Sequence, residues 1–550
     1  MNIAIVYNAV NAIVSDNADE SVKKCIQEAL SYEIAGAEFM SKDWDGKSTM
    51  FNWSTRSFPS GFVSAVRKKL ESSGHRVLLN RKPMAEPLGK PNPEVNDFPF
   101  NPDYLYQDET VERMVNIGGM IAQVATGGGK SVVACKAAAR VKRLTLFITT
   151  RSVLMHQMRD NFQQSLDYRA ENGEPELKGE KIGIIGDGMF HFSRHINVAT
   201  IQTLTSFLDE YPRFVEKLPP KTKKSEKTKK PHPSKEEQRI EWAKKREFHY
   251  RRQAAIKMML KETILLILEE AHESSGNGFY DVSRMCVNAD YRLGLTATPF
   301  MKDSAEANMR LMAVTGSIGI KVSEKYLIDR GILAKPYFLY LKTDYIPDEA
   351  RIKEDLADKM GNSRLGRTSP YTRAAQLGIT YNLARNKLVV KHAKELFDHG
   401  LSTMLLVRLK RHGQILKEML TDLGIRTEFI FGESKQKERL QQLNKLRNRE
   451  IDVLIGSTIL DVGVDVPGVG GVILAGGGKA EVELRQRVGR GLRKKKDQAN
   501  ICFVIDFLDY SNNHLLKHSF ERRVIIKETD GFHQGILPEG SELPFNLLNA

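Results

Sequence analysis

The sequence predicts an α/β protein in which two parallel-sheet domains follow a small α+β unit. Two observations set the class. From about residue 96, short apolar segments alternate with helical patterns: GMIAQVA, RLTLFITT, KIGIIG, INVAT, ILLIL and YRLGLTAT. That alternation marks a parallel sheet with crossover helices. The rhythm restarts at about 335 with PYFLYL, TMLLVRL, RTEFIF, DVLIGS, GVILAG and ICFVIDF. A third observation agrees: 550 residues exceed what one core holds. The expected divisions are 1–95, 96–334, 335–510 and a tail, 511–550.

In the leading unit, NIAIVYNAVNAIV alternates like a strand and DESVKKCIQEAL has helical spacing. AEFMSKDWDGKSTMFNW reads as a hairpin around Asp45-Gly46, a favoured tight-turn pair. Ser60 is placed to cap the helix GFVSAVRKKLESS, which Gly74 ends, and HRVLLN follows as a strand. KPMAEPLGKPNPEVNDFPFNP, rich in proline and polar residues, reads as a linker. Trp44, Trp53 and Lys47, with Arg67, Lys68 and Lys69, are candidates for a duplex-binding face.

The net charge of +15 points to a polyanionic partner, most often nucleic acid. The excess is concentrated: residues 217–257 hold 15 Lys/Arg against 5 Asp/Glu. This stretch interrupts the first large domain between INVAT and ILLIL. Its first half has too few apolar residues to build a core and reads as disordered; from about Ser234 it reads as a basic helix. Trp242, Phe248 and Tyr250 are its candidates for stacking on a base. Cys25, Cys135, Cys286 and Cys502 lack metal-type spacing and read as reduced thiols of a cytoplasmic protein. No secretory leader is expected, and no apolar run approaches the roughly 18 residues of a membrane helix.

The chemistry begins at VATGGGKSVVACKAAA (124–139), which follows a strand and opens a helix. Glycines there let backbone N–H groups face phosphate oxygens, and the helix points its positive end at them. Thr126, Gly127, Gly128 and Gly129 form the loop. Lys130 is placed for the β- and γ-phosphates and Ser131 for Mg²⁺. Val124 stands where the general pattern has glycine. ILLILEEAH (264–272) is a buried strand delivering acids to its end: Glu269 for Mg²⁺, Glu270 for the attacking water. TAT (296–298) ends another strand, and VLIGSTILDVGVDVP (453–467) carries Thr458, Gly463 and Asp465. RQRVGRGLRKK (485–495) spaces Arg487, Arg490 and Arg493 by three, on one face if helical. Arginines reaching a γ-phosphate are worth roughly 10³–10⁵ in rate.

These segments, with YQ at 106–107, TTRSVLMHQ (149–157), VATIQTL (198–204) and QRVGRGLR, resemble the ordered motifs of superfamily 2 helicases and translocases over about 100–510. GRGLRKKK and ARNKLVVKHA (384–393) resemble the XPB and phage UvsW branch. WDGK (44–47) and FPSGFVSAVRKKL (58–70) resemble that branch's small leading domain. The resemblance implies two RecA-like domains, ATP and Mg²⁺ as cofactors, and branched or forked DNA as partner. It implies that Gln107 reads adenine beside Tyr106. Arg490 and Arg493 would be fingers, Arg487 and Asp465 would couple the domains, and Gly463 would sit near the ribose. Thr296 and Thr298 would link hydrolysis to strand binding, with Arg151, Gln202, Arg408 and Thr458 on the strand backbone. The departure is Glu269, where the family's box has aspartate. Its extra methylene moves the carboxylate by about 1.5 Å, which a water bridging it to Mg²⁺ would absorb. The expected function is an ATP-dependent helicase that unwinds or branch-migrates forked and Holliday-type DNA, as a monomer, in the host cytoplasm if phage-encoded. The alternatives are an RNA helicase of the same superfamily and a nucleic-acid-binding protein whose ATPase is silenced at Glu269.

Overall fold

The computed structural model describes residues 2–34, 45–91, 101–216, 233–271, 277–300, 304–343, 370–431, 436–456, 469–478, 484, 488–489, 491–495 and 499–549. The chain forms two compact units. One comprises Met1–Phe100, Leu105–Ala122 and Ser131–Ile320; the other comprises Asn101–Tyr104, Gln123–Lys130 and Lys321–Ala550.

The leading segment, expected as one strand, is a hairpin. β1 (Asn2–Tyr7) and β2 (Asn11–Val14) pair antiparallel, with Ile5 opposite Val14. Asn8 turns the chain: its side-chain oxygen accepts from the N–H groups of Val10 and Asn11, both at 2.8 Å. β3 (Ser31–Glu33) pairs antiparallel with β4 (Lys47–Thr49), so residues 34–46 lie between the strands and Asp45-Gly46 is not the tight turn expected; Gly46 (φ 74°) instead accepts at its carbonyl from the Ile34 N–H at 3.0 Å. Trp44 lies outside the described residues. β5 (Ser57–Pro59) and β6 (Arg76–Arg81) complete a sheet of order β5-β2-β1-β6, with β6 parallel to β1. Helices Glu20–Ala29 and Val63–Ser72 pack Val22, Ile26, Val66 and Leu70 onto Ile3 and Ile5. Ser60 does not cap the second helix. It starts a 3-10 turn, Ser60–Phe62, without a capping bond, and the α-helix begins after it.

That turn is a docking point. A Cβ on Gly61 would collide with the carbonyl oxygen of Met312, in the helix Ala305–Thr315. The same helix lends Ala313, Met309 and Met312 to the leading unit's core. Arg81 donates to the carbonyls of Ile117 (2.5 Å) and Asp290 (3.1 Å), and Arg284 donates to Asn11 (2.8 Å). The described part of the expected linker is a bound strap. The Ala85 N–H donates to Asp290 and its carbonyl accepts from the Tyr291 hydroxyl, at 2.8 and 2.7 Å. Leu88 and Gly89 donate to the carbonyls of Val141 and Arg140.

The large sheet that follows contains β7 (Gly119–Val124), β8 (Thr145–Thr149), β9 (Gly183–Gly186), β10 (Met189–His191), β11 (Ile196–Thr200), β12 (Leu265–Glu269), β13 (Tyr291–Thr296) and β14 (Ile318–Val322). Its order is β10-β9-β11-β8-β12-β13-β7-β14. β8, β11 and β12 are buried along their whole length, as a sheet covered on both faces requires. β10 runs antiparallel to β9 at the edge. The chain leaves β7 for β8, three places away, and later returns to lay β12 and β13 in the gap. The C-terminal ends of β12, β13 and β7 therefore lie side by side, where α/β sheets bind ligands.

The second unit has its own sheet: β15 (Lys335–Thr343), β16 (Thr403–Leu406), β17 (Thr427–Ile430), β18 (Val453–Gly456), β19 (Gly471–Ile473) and β20 (Ile501–Asp509), in the order β15-β20-β19-β16-β18-β17. Its pairings are parallel. Leu405, Ile455, Ile473, Phe503, Ile505 and Phe507 form the core. The expected tail is part of this body. Helix Asn513–Glu528 inserts Arg522 onto buried Asp506 (2.8 Å), and Leu537, Leu543 and Phe545 join the core.

Candidate active site

β7 ends at Val124 and the helix Lys130–Val141 begins six residues later. Gly127 (φ 87°) and Gly129 (φ 75°) occupy the left-handed region that favours glycine. A Cβ on Gly128 would meet Val124 Cγ1 at 2.6 Å. Such alternation turns successive N–H groups into an anion-binding concavity, and the helix dipole reinforces it. Lys130 Nζ donates to the Val124 carbonyl at 3.4 Å, so its ammonium folds over the loop. Thr126 lies in the loop and Ser131 in the first turn of the helix, both half-buried.

Glu269 closes β12 and is only 6% exposed. It stands opposite Leu295 of β13, one residue short of Thr296. Glu270 has φ 47°, a conformation costing a non-glycine residue roughly 1–2 kcal/mol. The chain thus swings off the strand, and the second acid departs from strand alternation. Thr296 and Thr298 are both buried; the N–H of Thr298 donates to Thr296 Oγ1 at 3.2 Å.

Tyr106 and Gln107 lie buried in the first turn of helix Leu105–Ile117. The sequence reading missed what holds this helix. Asp108 pairs with Lys136 at 2.8 Å and Glu112 with Arg140 at 3.0 Å, tying it to the helix that follows the glycine loop. The signal was present: an acidic pair and a basic pair, each four residues apart, on two helical segments.

Two family models match. The model described as "Type III restriction enzyme, res subunit" covers residues 103–301, and "Helicase conserved C-terminal domain" covers 388–495. The chain belongs to the superfamily 2 helicases. Its relatives include "Putative helicase 22" of Sulfolobus islandicus filamentous virus, 25% identical over 50% of this chain and 47% of that protein. The "DNA 3'-5' translocase XPB2" of Sulfurisphaera tokodaii is 23% identical over 74% of this chain and 83% of that protein. The "ATP-dependent DNA helicase uvsW" of Enterobacteria phage T4 is 21% identical over 95% of this chain and 96% of that protein. The chain spans about half the length of the filamentous-virus relative.

In this superfamily 2 helicase, the strand-contact candidates take different positions. Arg151 precedes helix Ser152–Glu171, and Gln202 donates its amide to the Thr150 carbonyl next to it at 2.9 Å. Gln202 therefore positions the Arg151 turn. Arg408 lines a cavity of about 240 Å³ with Thr372, Thr380, His412 and Gly476, at the start of helix Lys410–Thr421. Arg493 bridges Leu333 through its backbone, and burial lowers its guanidinium pKa. Thr458, Gly463, Asp465, Arg487 and Arg490 lie outside the described residues. Among the described residues, no helix is long and apolar enough to cross a membrane.

Proposed function

We propose that this helicase is an ATP-driven DNA motor that unwinds or branch-migrates forked and Holliday-type DNA in recombination, repair and replication. The observation that carries the motor reading is one sheet edge. The glycine loop, buried Glu269 and the Thr296–Thr298 turn end three adjacent strands, β7, β12 and β13. DNA, rather than RNA, is favoured by the relative named "ATP-dependent DNA helicase uvsW", which matches the chain from the leading unit to the end.

The residues present fit a magnesium nucleotide: a loop with two left-handed glycines, a helix start, and a buried carboxylate at the neighbouring strand end. Thr126–Ser131 would hold its phosphates, Ser131 and Glu269 the Mg²⁺, and Gln107 with Tyr106 the base. The bound nucleotide supplies a phosphoanhydride whose cleavage drives the cycle. Lys130 neutralises phosphate charge, Glu270 orients water, and Arg490 and Arg493 offset the charge that develops. Gly463, Asp465 and Arg487 complete the nucleotide's surroundings. Thr296 and Thr298 relay the state of Glu269 to a strand held by Arg151, Gln202, Arg408 and Thr458. These contacts go mainly to phosphates, so sequence preference is weak and affinity falls with salt. The protein works as a monomer in the cytoplasm.

ATP hydrolysis by the full chain, alone and with forked DNA, single-stranded DNA or RNA, tests this. Forked DNA should stimulate it most, and Lys130→Ala should lower it by at least about 10²-fold, the scale of removing a preorganised charge. Stimulation by RNA alone would replace the DNA reading. No hydrolysis under any condition would sink the motor.

A further inference from the structure

The glycine loop is bedded on the segment that joins β14 to β15. Gly127, Leu333 and Gly489 all fall within the second compact unit. β14 ends at Val322, whose carbonyl accepts from the Ala125 N–H at 3.0 Å. The helix Glu324–Asp329 follows, capped by Ser323 Oγ, which accepts from the Tyr326 N–H at 3.2 Å. Gly331 (φ 67°) then reverses the chain, and the N–H groups of Ile332 and Leu333 donate back to the Leu327 carbonyl at 2.9 and 3.2 Å. The reversal brings Leu327 and Leu333, both buried, against the same loop. A Cβ on Gly127 would lie 2.7 Å from Leu333 Cδ2, and one on Gly128 would lie 3.1 Å from Leu327 Cδ1. Only residues without a side chain let the leucine methyl groups come this near.

The backbone of Leu333 is engaged elsewhere. It forms an antiparallel bridge with Arg493, and the N–H of Ala334 donates to the Leu492 carbonyl at 2.6 Å. Asn500 holds the segment in place. Its side-chain amide donates to the carbonyls of Gly331 (3.1 Å) and Leu333 (3.2 Å), and its backbone carbonyl accepts from the Lys335 N–H (2.8 Å). The loop meets the Arg493 segment a second time at Gly489, where a Cβ would lie 2.7 Å from Thr126 Cβ. Leu333 thus has its side chain on the phosphate-binding loop and its main chain on the segment that carries Arg493.

We propose that Leu333 is a positioning residue for hydrolysis: it keys the Arg493 segment to the glycine loop, so that the loop's conformation sets where that arginine stands. The inference rests on the ATPase reading above and adds a residue outside the family motifs. Three physical points favour it. Close-packed interiors transmit displacement, because neighbouring atoms have no free volume to absorb it. Only one residue spans the two engagements, so no length of chain intervenes. And an arginine that meets charge developing in the transition state loses turnover, rather than nucleotide affinity, when it is misplaced.

The test is a double-mutant cycle on ATP hydrolysis by the full chain with forked DNA, using Leu333→Ala, Arg493→Ala and the pair. Leu333→Ala should lower kcat about 10- to 100-fold and leave KM for ATP within about threefold. Leu333→Met, of similar volume, should hydrolyse ATP like the parent. In the Arg493→Ala background, Leu333→Ala should cost little more. Losses that multiply fully overturn the proposal, as does a raised KM with kcat unchanged. Should truncation to alanine prevent folding, Leu333→Val reads the same cycle with a smaller cavity. A second readout needs no turnover: hydrogen exchange with and without a magnesium-bound, non-hydrolysable ATP analogue. In the parent the analogue should slow exchange in both 123–133 and 488–495; in Leu333→Ala it should slow only the first. Protection confined to the first stretch in the parent, absent from both, or kept in both by Leu333→Ala, overturns the proposal. Linked protection in a parent that hydrolyses no ATP would leave the keying in place and remove the motor.

Discussion

Burial pulls the His412 imidazole down to about 3, and the Arg385 guanidinium adds to the effect. Its ring Nε2 meets Asn386 Oδ1 at 2.9 Å, beside the cavity that Arg408 lines. In the unfolded chain a histidine titrates near 6.5. Between these values the unfolded state binds a proton that the folded state refuses, so stability rises with pH. The contribution is complete above about pH 6.5 and falls away on acidification, at up to about 1.4 kcal/mol per pH unit. Melting curves from pH 7.5 to 5.5 should show this, and His412→Gln should flatten it. A second prediction concerns Glu269. If a water bridges the longer carboxylate to Mg²⁺, Glu269→Asp changes stimulated hydrolysis by less than about tenfold. Restoration of activity from nothing would show instead that the glutamate silences the site. The acids and the glycine loop were legible because their chemistry needs fixed residue types at fixed spacing. The left-handed turn at Glu270 was not, because nothing in its side chain calls for positive φ.

At the scale of elements, the second sheet is closed by an ion pair that local sequence does not announce. Arg385 lies fully buried, 2.7 Å from Asp509, and also donates to the Ala475 carbonyl at 2.7 Å. Thr343 donates to the same Asp509 oxygen at 2.9 Å. One helix is thereby fixed to the ends of β15 and β20 and to the residues after β19. Arg385→Met should cost about 3–5 kcal/mol in chemical denaturation, because Asp509 is left as a buried charge. Arg385→Met with Asp509→Leu should recover much of it. A double variant as unstable as the single would refute the pairing argument. The partners are 124 residues apart, which is why sequence pattern alone could not match them. Strands such as β8, β11 and β12 were legible as continuous apolar runs. β10 and β14 were not, since these edge strands, MFH and IGIKV, offer no continuous apolar run. The leading hairpin was read as one strand because its turn, Asn8–Val10, interrupts the apolar run only at Asn8.

At the scale of the molecule, the leading unit is built onto the first large sheet rather than tethered to it. Gly61→Val should force the 3-10 turn off Met312. Hydrogen exchange should then quicken in β1 and β6 and also in the helix Ala305–Thr315. Quickening confined to the leading sheet would mean that the two fold independently. The sequence leads one to expect a slack connection after this unit, because Pro-rich composition does not reveal which carbonyls a strap will meet. A mechanical consequence follows from the helix Lys235–Glu262. At 1.5 Å per residue it is a rod about 42 Å long. Only Thr263 and Ile264 separate it from β12, and the N–H and hydroxyl of Thr263 both bond back to Met259. There is no slack at that joint. A pull on the outer end of the rod arrives as torque at the root of the strand whose tip is Glu269.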